Sequence, residues 1–414
     1  MTASAFSAKP SRTYARAIEL TLLAALGFTL PLFEAPKNLC SLLYVIAWFV
    51  GRAPTRDFGG RWNAWDTLVA IWIVSGYLTA EFAGIEGSQW RGATDVLRFA
   101  GLFWLVMRSG YTRREIAVIA GALYSGLLIS LLWGYWQYYG THRRTFLELN
   151  SVGHVNHSSI YLAIHVGVIW AAIGAFWSRT SPIVRIVAIA LAMTLSISLV
   201  VMSSRGAVGA TILLLVILGL VWARRSKKIT YCALALVVLA VGATLLIAPE
   251  IVKKHVANVE NANTLAFRDQ IWRTAWETWR QFPIFGAGMD NFRYVSLEKV
   301  QQWKEARVEP FDRTLYYPIA HAHSLYLNTL AERGILGSVV IIGLLGAWLW
   351  ALIRSLPGRG DDDWRWALWS AALSGWFITA VAGLVNTTLH HEHGILAMLT
   401  LGLWMNGRRE NSSA

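Results

Sequence analysis

The sequence predicts an all-α polytopic membrane protein with about 12 transmembrane helices and one large, mainly helical loop between the ninth and tenth spans. Hydrophobic residues make up 55% of the 414 residues and charged residues only 15%, whereas roughly a quarter of a soluble domain is charged. The mean hydropathy is +0.44. The 22 tryptophans and 14 tyrosines are typical of aromatic belts at the two faces of a bilayer.

Runs of apolar residues set the number of spans, because a helix needs about 20 such residues to cross the hydrocarbon core. Twelve runs come close to this length, although the second and the last are short. They cover residues 17–33, 37–51, 64–80, 92–107, 115–138, 158–177, 184–202, 206–223, 229–248, 335–353, 365–388 and 394–406. The first run follows Lys9, Arg12 and Arg16, and is interpreted as an anchor because no convincing cleavage site follows it.

The distribution of lysine and arginine predicts the orientation of the spans. Alternate connections, together with the N-terminus, carry 20 of these residues, and the opposite short connections carry five. Because positive charge stays on the cytoplasmic side, both termini are expected in the cytoplasm and the large loop on the other side.

The distribution of apolar runs and charges also excludes several classes of function. The net charge of +13 is spread over short connections and forms no basic domain, so no nucleic-acid partner is expected. No cytoplasmic connection exceeds about a dozen residues, and no phosphate-binding glycine motif occurs. Cys40 and Cys232 lie in apolar runs and predict neither a metal site nor a disulfide framework. An enzyme of this shape must take an activated substrate from within the membrane, and no cofactor is expected.

The chain divides into three regions by composition. Residues 1–248 hold spans 1–9, and residues 335–414 hold spans 10–12 and a cytoplasmic tail. Between them, residues 249–334 form the one long polar segment, which we interpret as the catalytic loop.

Two helices and a turn are expected within this loop. The first helix is predicted to begin at Thr264 as its cap and to run to about Gln281. Two glycines then favour a tight turn over residues 283–288. A second helix is predicted over residues 323–333, lying along the membrane surface and closed by Gly334 as its C-cap.

Two arginines are candidates for binding a substrate. Arg205 follows two serines in a short hairpin between spans, where an arginine is costly and functional by default, although its side chain could also extend to the lipid headgroups. Arg268 shares one face of its helix with Trp272, Trp276 and Trp279, a pattern that an interfacial amphipathic helix also shows.

Two further polar groups are expected on the same side of the membrane. Asn156 and His157 belong to a connection that could also be an ordinary polar loop. His321 and His323 follow a polar, aromatic stretch that contains Arg293.

The histidines do not predict a metal site. His321 and His323 are two residues apart, and His390, His391 and His393 form a second group. Side chains two apart on a helix diverge, and no H-E-x-x-H motif or run of acidic partners accompanies them. We therefore expect no bound metal.

Arginine and neutral histidine together have the chemistry to displace a diphosphate with an alcohol. The guanidinium group presents a rigid fork of donors that matches phosphate oxygens. Histidine has an unperturbed pKa near neutrality, so it can accept a proton from a hydroxyl group. Arginine neutralises the charge of the leaving group, and this reaction would need no metal.

Several short motifs resemble those of the O-antigen ligase/polymerase superfamily. His323-Ser324, nine further residues and Gly334-x-x-Gly337 are similar to the H-[N/S/Q]-x9-G-x-x-G signature of bacterial O-antigen ligases. Ser204-Arg205-Gly206 at a span junction, Arg268-x-x-x-Trp272 and the Pro283…Gly286-x-Gly288 turn complete the pattern. Twelve spans and one large loop after the ninth extend the resemblance to most of the chain.

The resemblance implies an enzyme of lipopolysaccharide biosynthesis in the inner membrane of a Gram-negative bacterium. It implies a metal-independent, inverting glycosyltransferase that carries O-antigen from undecaprenyl diphosphate to lipid A–core, with its site in a periplasmic loop. The family's essential arginines correspond to Arg205 and Arg268, and its essential histidine to His323. Asn156 and His157 lie where relatives often carry an asparagine-containing loop, and His321 lies outside the signature.

Other functions stay open at this point. Within the superfamily, the alternatives are an O-antigen polymerase and a protein O-oligosaccharyltransferase, although the latter usually has an additional C-terminal region. A transporter or flippase for a lipid-linked glycan would place polar residues inside spans and would show repeated halves. Asp95 and Arg98 could pair inside the fourth span, but residues 1–200 are not repeated in 201–414.

We predict that residues 290–310 lie in the periplasm, because the positive charges mark the other face as cytoplasmic. A reporter enzyme that is active only in the periplasm should be active when fused within this segment. Fusion at residue 359, in a positively charged connection, is the matched control and should be inactive. Labelling of the 290–310 segment from the cytoplasm would contradict the topology.

Overall fold

The computed structural model describes residues 10–226, 242 and 267–410, and this part of the chain is helical without β-strands. The helices are α1 Pro10–Thr29, α2 Glu34–Arg52, α3 Ala64–Glu81, α4 Gln89–Arg108, α5 Arg113–Tyr135, α6 Val155–Phe176, α7 Pro182–Val201, α8 Arg205–Trp222, α9 Arg268–Gln281, α10 Leu297–Ala306, α11 Leu325–Arg354, α12 Asp363–Phe377 and α13 His391–Glu410. The all-α class is confirmed for these residues. The predicted span over 229–248 and the cap at Thr264 lie outside the described residues.

Each predicted span within the described residues overlaps a helix, although the spans 17–33 and 365–388 extend beyond the helix ends. Among the described residues, five helical segments are long and apolar enough to cross a membrane: Arg113–Gly140, Val155–Arg179, Pro182–Val201, Arg205–Trp222 and Leu325–Arg354. The protein is therefore an α-helical membrane protein by length and composition. The total of 12 spans and the position of the large loop stay predictions.

The helices pack into one bundle around a continuous apolar core. α1 lies against α2 and α5, while α6 lies against α7, α8 and α12. α13 packs on α4, α6 and α12, which brings the last helix into the centre of the bundle. A second, smaller core lies beneath α9 and the loop that follows it, and includes Ile271, Phe292 and Val300. Two clusters of buried side chains thus fix the helices and the polar segment.

An ion-pair network holds the polar segment together. Glu277 of α9 is buried, and it pairs with Arg280 and Arg307. Glu309 accepts hydrogen bonds from Arg280 at 2.6 Å and from Lys304 at 3.1 Å. These contacts join α9 to α10, so the segment is an ordered structure against the ends of the bundle helices.

The helix that was predicted for residues 323–333 differs from the observed one. Ser324 caps α11, which begins at Leu325 and continues past Gly334 to Arg354. Gly334 does not end the helix but kinks it, with φ of 59° and ψ of −159°. His323 lies before the helix in a left-handed conformation with φ of 47°. The polar helix and the predicted tenth span are therefore one kinked helix.

The turn over residues 283–288 supplies the backbone hydrogen bonds that the kink interrupts. The N–H groups of Ala287 and Gly288 donate to the carbonyls of residues 331 and 332, at 2.8 and 3.0 Å. On the other side of the kink, the N–H groups of residues 335 and 336 donate to the carbonyls of Pro283 and Ile284, at 2.9 and 3.2 Å. The turn thus stabilises a break that would otherwise leave four backbone groups unsatisfied in an apolar environment.

Gly334 is required at the kink for two physical reasons. Its backbone conformation is open to glycine and strained for other residues. A Cβ atom at this position would also lie 2.3 Å from the carbonyl oxygen of Ile284. The glycine therefore permits the close contact between the helix and the turn.

We predict that Gly334→Ala destabilises the protein, because strain of this kind costs about 1–3 kcal/mol before the steric overlap is counted. The expected result is a lower midpoint of thermal unfolding in detergent. Gly343→Ala on the same helix is the matched control, since among the described residues no atom lies within 4 Å of the added Cβ. Equal midpoints for the two variants would refute the role of the kink.

Candidate functional site

The site is formed where the first residues of several helices meet one connection, residues 383–390, which we call loop 383–390. This loop joins the π-helical turn Ile378–Ala382, which extends α12, to the start of α13. The predicted span over residues 365–388 is too long for this reason, since the regular helix ends at Phe377. The polar residues of the loop are buried beside the candidate arginines and histidines.

The N-terminus of α8 carries the first arginine. Arg205 is the first residue of the helix and is exposed. Ser204 occupies the cap position, and its hydroxyl donates to the Oδ1 of Asn156 at 3.1 Å. A Cβ at Gly206 would lie 3.0 Å from the Nδ2 of Asn386, so the loop packs directly on the first turn of the helix. The end of α8 therefore offers an arginine and the positive end of a helix dipole on the same surface.

The N-terminus of α9 brings the second arginine to the same loop. The Nε of Arg268 donates to the carbonyl oxygen of Val385 at 3.0 Å. Burial lowers the pKa of Arg268, and the charge of Arg205 lowers it further. Two cations that repel each other in a partly buried site create a region of positive potential that favours an anion.

His323 precedes α11 and is tied to the loop through the start of that helix. The N–H of Leu325 donates to the carbonyls of Gly383, at 2.7 Å, and Asn386, at 3.1 Å. Burial, followed by the charge of Arg268, lowers the pKa of His323 to about 4. The imidazole is therefore neutral at neutral pH, and this is the form that can accept a proton.

His321 faces a different set of groups from those near His323. Its ring centroid lies 4.8 Å from that of His390 and 6.4 Å from that of His157. Burial lowers the pKa of His321, and Arg293 contributes to the same effect. The two histidines therefore have different surroundings, although they are two residues apart.

His157 belongs to a cluster of histidines from α6, the segment before α11 and the start of α13. Its Nδ1 lies 3.0 Å from the Nε2 of His393, and its ring centroid lies 4.8 Å from that of His391. Lys37, which is 2% exposed, pairs with Glu392 and so fixes the residue between these two histidines. The spacing of these residues in the sequence did not predict that the two histidine groups meet or that His157 lies beside them.

A comparison with known families supports the interpretation of these motifs. Residues 188–342 match the family model described as O-antigen ligase. This part of the chain is therefore similar to the O-antigen ligase family. The matched stretch contains Arg205, Arg268 and His323, and the family points to membrane enzymes of the glycosyltransferase kind. No curated protein matches the chain at a significant level.

The remaining candidate residues lie around the arginines and histidines without forming one cluster. Trp272 is partly buried, and its indole N–H has no hydrogen-bond partner within the described ranges. Arg293 pairs with Asp290, which also accepts a 2.7 Å bond from Arg91. The structure thus brings Arg205, Arg268 and His323 to one loop and leaves Arg293 on its border.

Asn386 is the residue of the site that the sequence analysis missed. Its side chain is 1% exposed, and neither its Nδ2 nor its Oδ1 has a hydrogen-bond partner in the part of the chain that is described. A buried amide without partners costs free energy, which indicates that a water or a substrate group bonds to it. The signal was present in the sequence as Asn386-Thr387-Thr388, a polar run at the end of an apolar stretch.

We predict that Arg268→Lys weakens binding of a polyprenyl diphosphate by roughly 10- to 100-fold, since a hydrogen bond to a charged group contributes about 1.5–3 kcal/mol. Lysine keeps the charge but loses both the fork and the Nε donor to Val385. The affinity can be measured by titrating the lipid into detergent-solubilised protein.

Arg273→Lys is the matched control, because Arg273 is an exposed arginine of the same helix. It should bind the lipid as the unmodified protein does. Equal affinity of Arg268→Lys and Arg273→Lys would remove Arg268 from the diphosphate site.

Proposed function

We propose that this protein is an O-antigen ligase that transfers a glycan from undecaprenyl diphosphate to a sugar hydroxyl of lipid A–core. The similarity of residues 188–342 to the O-antigen ligase family supports lipid-linked O-antigen and lipid A–core as the general substrates. The reaction would take place on the periplasmic face of the inner membrane, with both termini in the cytoplasm. The observation that carries the proposal is the convergence of Arg205, Arg268 and His323 on loop 383–390.

In the proposed reaction, the arginines bind the leaving group. The bond between the anomeric carbon and the diphosphate oxygen breaks, and the electron pair leaves with undecaprenyl diphosphate. Arg205 and Arg268 would stabilise the charge that develops on this oxygen, assisted by the N-terminus of α8. The resemblance implies that no metal is needed, and two guanidinium groups could supply the positive charge that a metal would otherwise provide.

His323 would act as the base for the acceptor. The hydroxyl oxygen of the acceptor sugar attacks the anomeric carbon as the hydroxyl proton moves to the neutral imidazole. A single displacement of this kind inverts the configuration at the anomeric carbon. The lowered pKa of His323 supports the role, because it keeps the imidazole unprotonated at neutral pH.

The other candidate residues would position these three. Asn156 bonds to Ser204, and so it would hold the first turn of α8 and Arg205 in place. Trp272 lies one helical turn after Arg268 and could stack on a sugar ring of the donor. His157, His321 and Arg293 would border the glycan. We keep residues 249–334 as the catalytic loop, with essential contributions from α8 and loop 383–390.

We predict that His323→Gln and His323→Asn lose about 10²- to 10⁴-fold in transfer rate, the usual contribution of a general base. Asparagine tolerates the left-handed backbone at this position, so it separates loss of the base from backbone strain. Both variants should bind the donor and unfold at the same temperature as the unmodified protein. The assay contains purified protein, lipid-linked O-antigen and lipid A–core, without nucleotide or added metal.

The pH dependence provides a second readout for the base. Arg268, His321 and His154 are the charged or titratable groups that act on His323. Because the pKa is lowered to about 4, the transfer rate should stay level near neutral pH and fall as the pH decreases through that value. Near-normal transfer by His323→Asn would refute the base assignment.

The same assay separates the alternatives. Growth of the glycan on its own lipid carrier without lipid A–core would indicate a polymerase. Transfer to an added acceptor protein would indicate an oligosaccharyltransferase. Movement of the lipid-linked glycan across a vesicle membrane without any transfer would indicate a flippase and would overturn the proposed function.

A further inference from the structure

The histidine cluster contains three side chains that face one another closely enough to share one ion. One possible ligand atom each of His157, His390 and His391 lies within 4.8 Å of the other two. These residues come from α6, from the end of loop 383–390 and from the start of α13. Two of the ring pairs, His390–His391 and His157–His391, have centroids 3.8 and 4.8 Å apart and are nearly perpendicular. One nitrogen atom of each ring therefore lies near the other two.

The proposed transfer reaction does not account for this arrangement. It needs one base, His323, which lies outside the group of three. Three histidines repel one another as soon as more than one is protonated, although a carboxylate oxygen of Asp290 lies within 4.8 Å of His390. Neutral imidazoles that converge in this way are the most common ligands of transition-metal ions in proteins.

Neighbouring residues fix the orientation of the three imidazole rings, as residues around metal ligands usually do. The Nδ1 of His157 is 3.0 Å from the Nε2 of His393, which occupies one nitrogen of the His157 ring and leaves the other for an ion. A ligating histidine almost always has such a partner on its second nitrogen. Lys37 pairs with Glu392 and contacts Ser151 at 2.9 Å, so it fixes the chain between His391 and His393. His391 is exposed, which gives an ion access from solvent.

We propose that His157, His390 and His391 bind a divalent transition-metal ion of the Zn²⁺ class. Three imidazole nitrogens suit zinc, copper or nickel, whereas magnesium and calcium require oxygen ligands. Three protein ligands would leave one coordination position of zinc open to water. The ion would join the N-terminus of α6 to the start of α13, and so it would clamp loop 383–390 against the bundle. It takes no part in the proposed transfer step.

The test measures binding of zinc directly, without any substrate. The full-length protein is purified in detergent with a histidine-free affinity tag, stripped with a chelator and dialysed against micromolar ZnCl₂. Metal analysis should give about one zinc per chain, and CoCl₂ should give the visible absorption of a cobalt site with nitrogen ligands. His390→Ala and His157→Ala should lose both signals. His393→Ala should weaken binding about 10- to 100-fold, as loss of an outer-shell partner typically does.

His142→Ala is the matched control, because His142 is an exposed histidine in the connection between α5 and α6. It should bind zinc as the unmodified protein does. Much less than one zinc per chain in the unmodified protein would overturn the proposal, and so would equal binding by His390→Ala, provided that each variant elutes as a folded monodisperse species. Equally tight binding of MgCl₂ would also overturn it.

The zinc-binding experiment tests the metal site separately from the proposed glycan transfer. Stoichiometric zinc in a protein that shows no glycan transfer contradicts the ligase proposal alone. Transfer by a protein that binds no zinc contradicts the metal site alone. Transfer that requires zinc, and that His390→Ala abolishes, would contradict the division of roles between the ion and the arginines.

Discussion

The arrangement of the site depends on the backbone hydrogen bonds between the 283–288 turn and the kink at Gly334. The kink exposes two carbonyls before Gly334 and two N–H groups after it, and the turn satisfies all four. Gly286 of the turn and Gly334 of the kink lie where the two main chains approach too closely for a Cβ atom. Because α9 leads directly into the turn, this contact fixes Arg268 relative to the helix that follows His323.

Loop 383–390 connects the remaining elements through its main chain. Its carbonyl groups accept hydrogen bonds from the side chain of Arg268 and from the N–H of Leu325, and its side chains pack on Gly206. Main-chain carbonyls hold their direction more firmly than long side chains do, so they suit the placement of groups that meet a charged substrate. The arginines and His323 are positioned by a loop that itself carries no charge before His390.

Some charged side chains of the protein lie close to a like charge, whereas others form ion pairs. Arg268 and Arg205 lie close enough to repel each other, and this repulsion lowers the stability of the fold. Such an arrangement is typical of a site that binds an anion. By contrast, Arg280, Lys304 and Arg307 share two carboxylates, and Asp95 pairs with Arg98 at 3.0 Å. The Asp95–Arg98 pair was the feature that favoured a transporter. Asp95 lies on α4 and lines a pocket together with Thr387 and His390 of loop 383–390, and its charge is paired with that of Arg98.

The sequence by itself determined the helical class, the approximate positions of most apolar helices and the resemblance to the O-antigen ligase superfamily. Length and hydropathy decide whether a segment can be a membrane helix, and both are local properties of the chain. It also singled out Arg205, Arg268 and His323 as candidates, through short motifs and their order along the chain. Only the tertiary structure decided that α11 continues through Gly334, that Asn386 enters the site, and that His157 meets His390 and His391. The Arg268–Val385 bond joins residues 117 apart and the His157–His393 contact joins residues 236 apart. Contacts of this kind depend on how helices pack against one another, and neither the period nor the spacing of residues along one helix contains that information.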